Sequence, residues 1–145
     1  MTRIEQAVSK MIEGYNCAQA VIFSFCDDLQ IDKNGALKMV TGLGAGMGRK
    51  EEVCGAVTGG IIVIGAKYGR GEKDDKTATE LAYRKTRTLM DRFAEQHGTF
   101  ICRKLLHDCD LTTEKGQTYF KENQLTTKVC VPCVKDVVEI LEHIM

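Results

Sequence analysis

Val53-Cys54-Gly55-Ala56-Val57-Thr58-Gly59-Gly60-Ile61-Ile62-Val63-Ile64-Gly65-Ala66-Lys67-Tyr68 is the stretch on which the fold turns. The β-branched run Ile61–Ile64 would suit a buried strand. Two observations oppose that reading. Gly55 and Gly59, and likewise Ala56 and Gly60, stand four apart, which puts small residues on one helical face and lets a neighbour approach closely. A lone strand would also find no second strand elsewhere in the chain. The segment therefore reads as a buried central helix with Cys54 in its first turn or two. Its apolar run, Val53 to Ala66, is broken by Thr58 and falls short of the roughly 20 residues that span a bilayer.

Helical signals continue on both sides. Upstream, Gly42-Leu43-Gly44-Ala45-Gly46-Met47-Gly48 breaks regular structure, because alternate glycines permit positive φ and close backbone approach. Asp32 or Asn34 opens a short helix around Ala36 to Thr41. Asn16 caps a helix that starts at Cys17 and runs through about Leu29, with Ala20, Val21, Phe23 and Phe25 for burial. Thr2-x-x-Glu5 is a capping box for a first helix carrying Ile4, Ala7, Val8, Met11 and Ile12, ended by Gly14. Downstream, Thr77-x-x-Glu80 opens a long helix to about Gln96, and Gly98 stops it. Thr99 caps a short helix through Leu106, and Thr112 or Thr113 another to about Asn123. The last helix starts near Cys130 with Pro132 in its first turn. The sum is one all-α domain over residues 1–145, an orthogonal helical array or bundle around a buried Gly-rich helix.

Composition limits what such a domain does. The chain has 145 residues, with 20 Lys+Arg against 20 Asp+Glu. A formal net charge of zero argues against a nucleic-acid binder or a polybasic membrane anchor. The apolar content of 43% with 28% charged residues is that of a folded soluble chain. The start, Met1-Thr2-Arg3-Ile4-Glu5-Gln6, carries charge where a cleaved signal needs apolar residues, so a cytoplasmic, thiol-reduced setting is expected. Seven cysteines in that setting point to metal or redox chemistry rather than to cross-links.

Placement on the helices sorts these cysteines. Cys17, Cys54, Cys102 and Cys130 fall at helix starts, where free N–H groups and partial positive charge favour thiolate. Cys26 and Cys109 fall toward helix ends and read as packing residues. Cys17 and Cys26, and Cys102 and Cys109, are too far apart along a helix to bond: roughly 10–13 Å against a reach of about 7 Å. Cys130-Val131-Pro132-Cys133 is the exception, a CxxC that can close a disulfide or chelate one metal. Cys133 is thus either a resolving thiol or a packing residue.

At these residues the chain resembles the C-GCAxxG-C-C family of redox-active four-cysteine proteins, marked by a CGAxxG motif. The motif stands here as Cys54-Gly55-Ala56-Val57-Thr58-Gly59. Gly14-Tyr15-Asn16-Cys17-Ala18-Gln19-Ala20-Val21 is similar to the family's first-cysteine segment, and Gly44-Ala45-Gly46-Met47-Gly48-Arg49 to its glycine-rich lead-in. Cys102 and Cys130 match the third and fourth cysteines by order and spacing. Cys26, Cys109 and Cys133 are additions to the pattern. The resemblance implies a small redox or cluster-binding protein.

Two classes of function follow. In the first, Cys17, Cys54, Cys102 and Cys130 converge on one site. They then ligate an iron–sulfur cluster for electron transfer, or work with Cys133 in thiol–disulfide exchange. The partner would be a redox protein or a small thiol or electron donor. In the second, the same four cysteines hold zinc in a structural or regulatory module without turnover. The backbone of Gly46, Gly48 and Gly55 would approach whatever Cys54 holds. The glycine loop lacks Gly-Lys-Ser/Thr and a preceding strand, which argues against a nucleotide cradle. His97, His107 and His143 read as surface residues, with His107 the one candidate proton donor. The Gly-rich helix could alternatively form a homodimer interface.

Overall fold

A computed structural model describes all 145 residues, Met1–Met145. The chain is all-α, with nine α-helical segments and a single isolated antiparallel bridge between Val53 and Ile101. The first three helices are α1 (Arg3–Ile12), α2 (Cys17–Leu29) and α3 (Lys33–Met39). A 3-10 turn, Thr41–Leu43, leads into the one-turn α4 (Gly44–Met47). Then come α5 (Gly55–Tyr68), α6 (Lys76–His97), the short α7 (Cys102–Leu105), α8 (Glu114–Glu122) and α9 (Val131–Ile144). No helix is long and apolar enough to cross a membrane.

The central segment is the expected buried helix. Along α5, Ala56, Val57, Val63 and Ile64 are fully buried. Its glycines explain how several neighbours reach it at once. A Cβ at Gly59 would sit 2.9 Å from both Cα and the carbonyl oxygen of Ala18, so α2 lies directly against α5 there. One at Gly60 would meet Leu89 of α6 at 2.8 Å and Val137 of α9 at 3.0 Å. Thr58 donates its hydroxyl to the Gly55 carbonyl at 3.2 Å, satisfying itself inside the helix.

Burial divides into two clusters. The larger joins α1, α2, α5, α6 and α9 around Val21, Phe93, Val137 and Leu141. The smaller gathers Cys102, Leu106, Cys109, Leu111 and Leu125 around α7 and α8. Val129 and Cys130 pack against both, so the segment before α9 is the hinge of the two cores.

Caps differ from expectation in three places. The long helix starts at Lys76 with Asp75 as its cap, which accepts from the Thr77 N–H at 2.8 Å; Thr77 lies inside the helix. Ile101, rather than Thr99, precedes α7, and the Thr99 hydroxyl instead accepts from the Ile101 N–H at 3.1 Å. Third, a π-helical turn, Thr126–Cys130, runs straight into α9. Its Val131 N–H reaches back to the Thr126 carbonyl. Pro132 offers no N–H to the turn before it, and the widened turn falls where that α-helical bond is missing. Among the apolar positions, Ile12 is 80% exposed, and Phe23 is half-buried beneath the ammonium groups of Lys10 and Lys33.

Candidate functional site

The seam between the two clusters opens as a cavity of about 810 Å³. Cys17, Cys54, Cys102, Cys130 and Cys133 all line it. All seven cysteines are free thiols. Only Cys130 is half-buried, the others being buried.

Local structure explains how each cavity thiol arrives. Asn16 caps α2 through a reciprocal box with Gln19, both hydrogen bonds at 3.0 Å, and Cys17 is the first residue after it. Cys54 is itself the cap of α5, with an extended backbone (φ −50°, ψ 133°). A two-residue ribbon ties the starts of α5 and α7 together. The Cys54 N–H donates to the Phe100 carbonyl at 2.8 Å, and the Cys102 N–H to the Glu52 carbonyl at 2.6 Å. Cys54 and Cys102 thereby lie diagonally across the Val53–Ile101 bridge, on one face of it. Cys130 and Cys133 lie one turn apart on the continuous helical run into α9, on the same face.

The glycine-rich lead-in is a left-handed turn. Ala45, Gly46, Met47, Gly48 and Arg49 have φ of +53°, +65°, +71°, +62° and +69° in succession. Side chains in that conformation cost about 1–2 kcal/mol each, and three of the five are not glycine. Strain of this kind persists where surrounding contacts over-determine it. Gly46 shows which contacts: a Cβ there would stand 2.6 Å from Glu51 Cα, 2.7 Å from Glu52 N and 2.8 Å from Cys102 Cβ. Gly46 therefore supports Cys102 from behind. Gly55 lines the cavity, whereas Gly46 and Gly48 do not, the turn contributing Ala45 and Arg49 instead.

Electrostatics separate the thiols that helix position had grouped. Cys54 is held below the ordinary thiol range by a hydrogen bond from Cys133 and by the N–H groups of Ala56 and Val57, against the opposing effect of burial. The other thiols move the opposite way. Cys17 is raised because it hydrogen-bonds to Cys130, is buried, and has Cys54 and Cys133 nearby. Cys102 is raised by burial, then by Cys54 and Glu51. Cys133 is raised as the donor to Cys54 and by its burial.

The expectation of thiolates at helix starts is thus corrected for Cys17 and Cys102. A helix terminus contributes about 0.3–1 kcal/mol, up to about 2 when partly buried. Burying an anion without enough donors costs more than that. Cys130 is corrected for another reason. Its backbone is already helical (φ −67°, ψ −43°) and the π turn precedes it, so the free N–H groups lie upstream.

The remaining candidates lie apart. The Cys26 thiol donates to the Ile22 carbonyl at 3.2 Å and that of Cys109 to the Gly116 carbonyl at 3.1 Å, each inside a core. His107 is exposed, has a φ of +54°, and does not line the cavity. His97 is not a free surface residue: it stacks on Phe93 with centroids 4.4 Å apart and lies 2.7 Å from Asp136.

Sequence reasoning missed Glu51. Its side chain is fully buried, and Oε1 accepts the Leu111 N–H at 2.8 Å. Arg103 Nε lies 3.2 Å from the same oxygen without the alignment of a hydrogen bond, and Oε2 has no partner. The pair Glu51-Glu52 reads as a solvated loop, and no local pattern distinguishes the first from the second.

No group of three or more His, Cys, Asp or Glu side chains is placed to hold a metal ion. Within the cavity, Cys133 is the neighbour that most affects Cys54, and Cys130 the one that most affects Cys17. Cys17, Cys54, Cys102 and Cys130 thus line one cavity without forming such a group. No curated protein and no solved structure matches the chain. Residues 15–144, which include every cavity cysteine, match the family described as "Putative redox-active protein (C_GCAxxG_C_C)", and the chain belongs to it.

Proposed function

We propose that the protein performs thiol–disulfide exchange, with Cys54 as the attacking thiolate and Cys133 as the resolving thiol. The observation that carries this reading is the Cys54 environment. The Cys54 sulfur stands at the cap of α5 on the wall of the cavity, where the neighbouring Cys133 thiol and the start of the helix hold it below the ordinary thiol range. Attack by Cys54 on a substrate disulfide, RSSR, forms a Cys54–SR mixed disulfide and releases RS⁻, which takes a proton. Cys133 then attacks the Cys54 sulfur, expelling the second RS⁻, and the Cys133 proton goes to that leaving group. The chain ends with a Cys54–Cys133 disulfide, and RSSR ends as two RSH. The cavity volume lies in the range of small-molecule sites, so a low-molecular-weight disulfide is the fitting substrate class.

The test is anaerobic purification with iron and zinc quantified, followed by excess 2-hydroxyethyl disulfide and mass mapping of the oxidised chain. Metal-free protein that acquires a Cys54–Cys133 disulfide is the expected result. A colourless chain without that disulfide overturns the proposal. Stoichiometric iron with visible absorption overturns it in favour of electron transfer, and stoichiometric zinc in favour of a closed module.

A further inference from the structure

The exchange just described uses two of the five cavity thiols, and a second pair stands beside them. Cys17, the first residue of α2, and Cys130, at the end of the π turn, line the same cavity, and Cys130 is the neighbour that most affects the Cys17 thiol. Cys133 is also among the groups close enough to act on Cys17. The two pairs share one helical run. Cys130 and Cys133 are three residues apart with helical backbone at Cys130 and Val131, which sets their Cβ atoms roughly 5–6 Å apart. A disulfide needs its Cβ atoms about 3.5–4.5 Å apart, so this turn must tighten by about 1–2 Å to close one.

We infer that the cavity holds two communicating dithiols, and that the disulfide formed at Cys54–Cys133 is passed through Cys130 to Cys17–Cys130. This rests on the exchange reading above. The steps balance. The Cys130 sulfur attacks Cys133, forming a Cys130–Cys133 disulfide and releasing Cys54 as thiolate. The Cys17 sulfur then attacks Cys130, forming Cys17–Cys130 and releasing Cys133. Two electrons leave the Cys17 and Cys130 thiols and reduce the first disulfide. Of the two protons they give up, one goes to Cys133 and the other to Cys54 or to water.

The direction of transfer has a physical cause. A dithiol whose reduced form is stabilised makes the more oxidising disulfide. Cys54 caps the 14-residue α5, whose N-terminus and the Cys133 thiol favour its thiolate, whereas Cys130 and burial hold the Cys17 thiol up. Oxidising equivalents therefore run from the Cys54 pair to the Cys17 pair. The first pair is freed to accept a second substrate molecule. The chain so stores two disulfides, and the co-reactant throughout is the low-molecular-weight disulfide.

The stoichiometry of 2-hydroxyethyl disulfide consumption by fully reduced, metal-free protein tests this. Wild type should release four equivalents of 2-mercaptoethanol per chain and map as Cys54–Cys133 plus Cys17–Cys130. Cys17→Ser and Cys130→Ser should each release two, a twofold drop, and carry Cys54–Cys133 alone. Serine replaces each thiol with a group of similar shape, and circular dichroism of both variants verifies the fold. Wild type that stops at two equivalents with only Cys54–Cys133 overturns the relay and leaves the exchange reading standing. A second disulfide that recruits Cys102 overturns it too. Absence of Cys54–Cys133 from wild type and both variants overturns the exchange reading itself, and the relay with it.

Discussion

Replacing Gly59 by alanine tests the seam that brings Cys17 and Cys54 to one cavity. The added Cβ would lie 2.9 Å from Ala18 Cα and 2.9 Å from its carbonyl oxygen. Ordinary contact begins near 3.4 Å, so α2 and α5 must separate by about 0.5–1 Å; both atoms are helix backbone, and no side chain can swing aside. Overpacking of this kind costs about 1–3 kcal/mol. Removing a glycine from a helix interior returns about 0.5–1 kcal/mol. The net is a loss of about 1–2 kcal/mol. Gly65, later in the same helix, has nothing within 4 Å of its Cβ position and is exposed. There only the helical gain remains, about 0.5–1 kcal/mol of stabilisation. At about 3–4 °C per kcal/mol for a chain of this size, Gly59→Ala should lower Tm by about 3–8 °C. Gly65→Ala should raise it by about 2–4 °C. Thermal unfolding followed by circular dichroism, in reductant, reads both. Shifts of the same sign in the two variants would refute the close α2–α5 contact on which the site depends.

Other perturbations reach different parts of the account. Gly46→Ala combines a positive φ with backbone atoms at 2.6 and 2.7 Å and should cost about 2–4 kcal/mol in urea unfolding, whereas Gly48→Ala, open around its Cβ, should cost only about 1 kcal/mol for its φ. Glu51→Ala leaves the buried Leu111 N–H without its acceptor and should cost about 2–3 kcal/mol; Glu51→Gln keeps that acceptor and should cost less by the same measurement. Stability should fall as pH rises above about 8.5. There the unfolded chain loses thiol protons that native Cys17, Cys102 and Cys133 retain, so the native state binds more protons and the slope is negative. Cys54 acts with the opposite sign: its contribution is present above the unfolded thiol pKa and lost as pH falls through its lower native value. Urea midpoints at pH 7.5, 8.5 and 9.5 check the balance, and Cys17→Ser should flatten the alkaline fall.

Much of the fold was legible because helix signals here are local. Thr2 with Glu5 and Asn16 with Gln19 form their boxes as written in the chain, and the four-residue spacing of small residues in α5 carries the packing that excluded a strand. What was not legible depends on residues distant in sequence. The π turn is settled by Pro132 together with packing of Val129 and Cys130 against two cores, and no capping pattern announces it. The thiols divide in the same way. That Cys54 stands at a helix start is a local fact, but its donor Cys133 comes from the far end of the chain. The raised Cys17 and Cys102 thiols reflect burial between clusters, which overrides the helix-end effect the sequence suggests. Glu51 is buried only because Leu111, sixty residues on, folds back over it.

The most direct measurement of the central claim is the site of the first covalent adduct. In Cys133→Ala the resolving thiol is gone, so a mixed disulfide with 2-hydroxyethyl disulfide should persist and be located by peptide mass mapping. Simple accessibility favours Cys130, the only half-buried cysteine. Activation at the α5 N-terminus favours Cys54, which keeps its place as the cap of that helix in the variant. The account predicts the adduct on Cys54. An adduct on Cys130, with Cys54 unmodified, would contradict it.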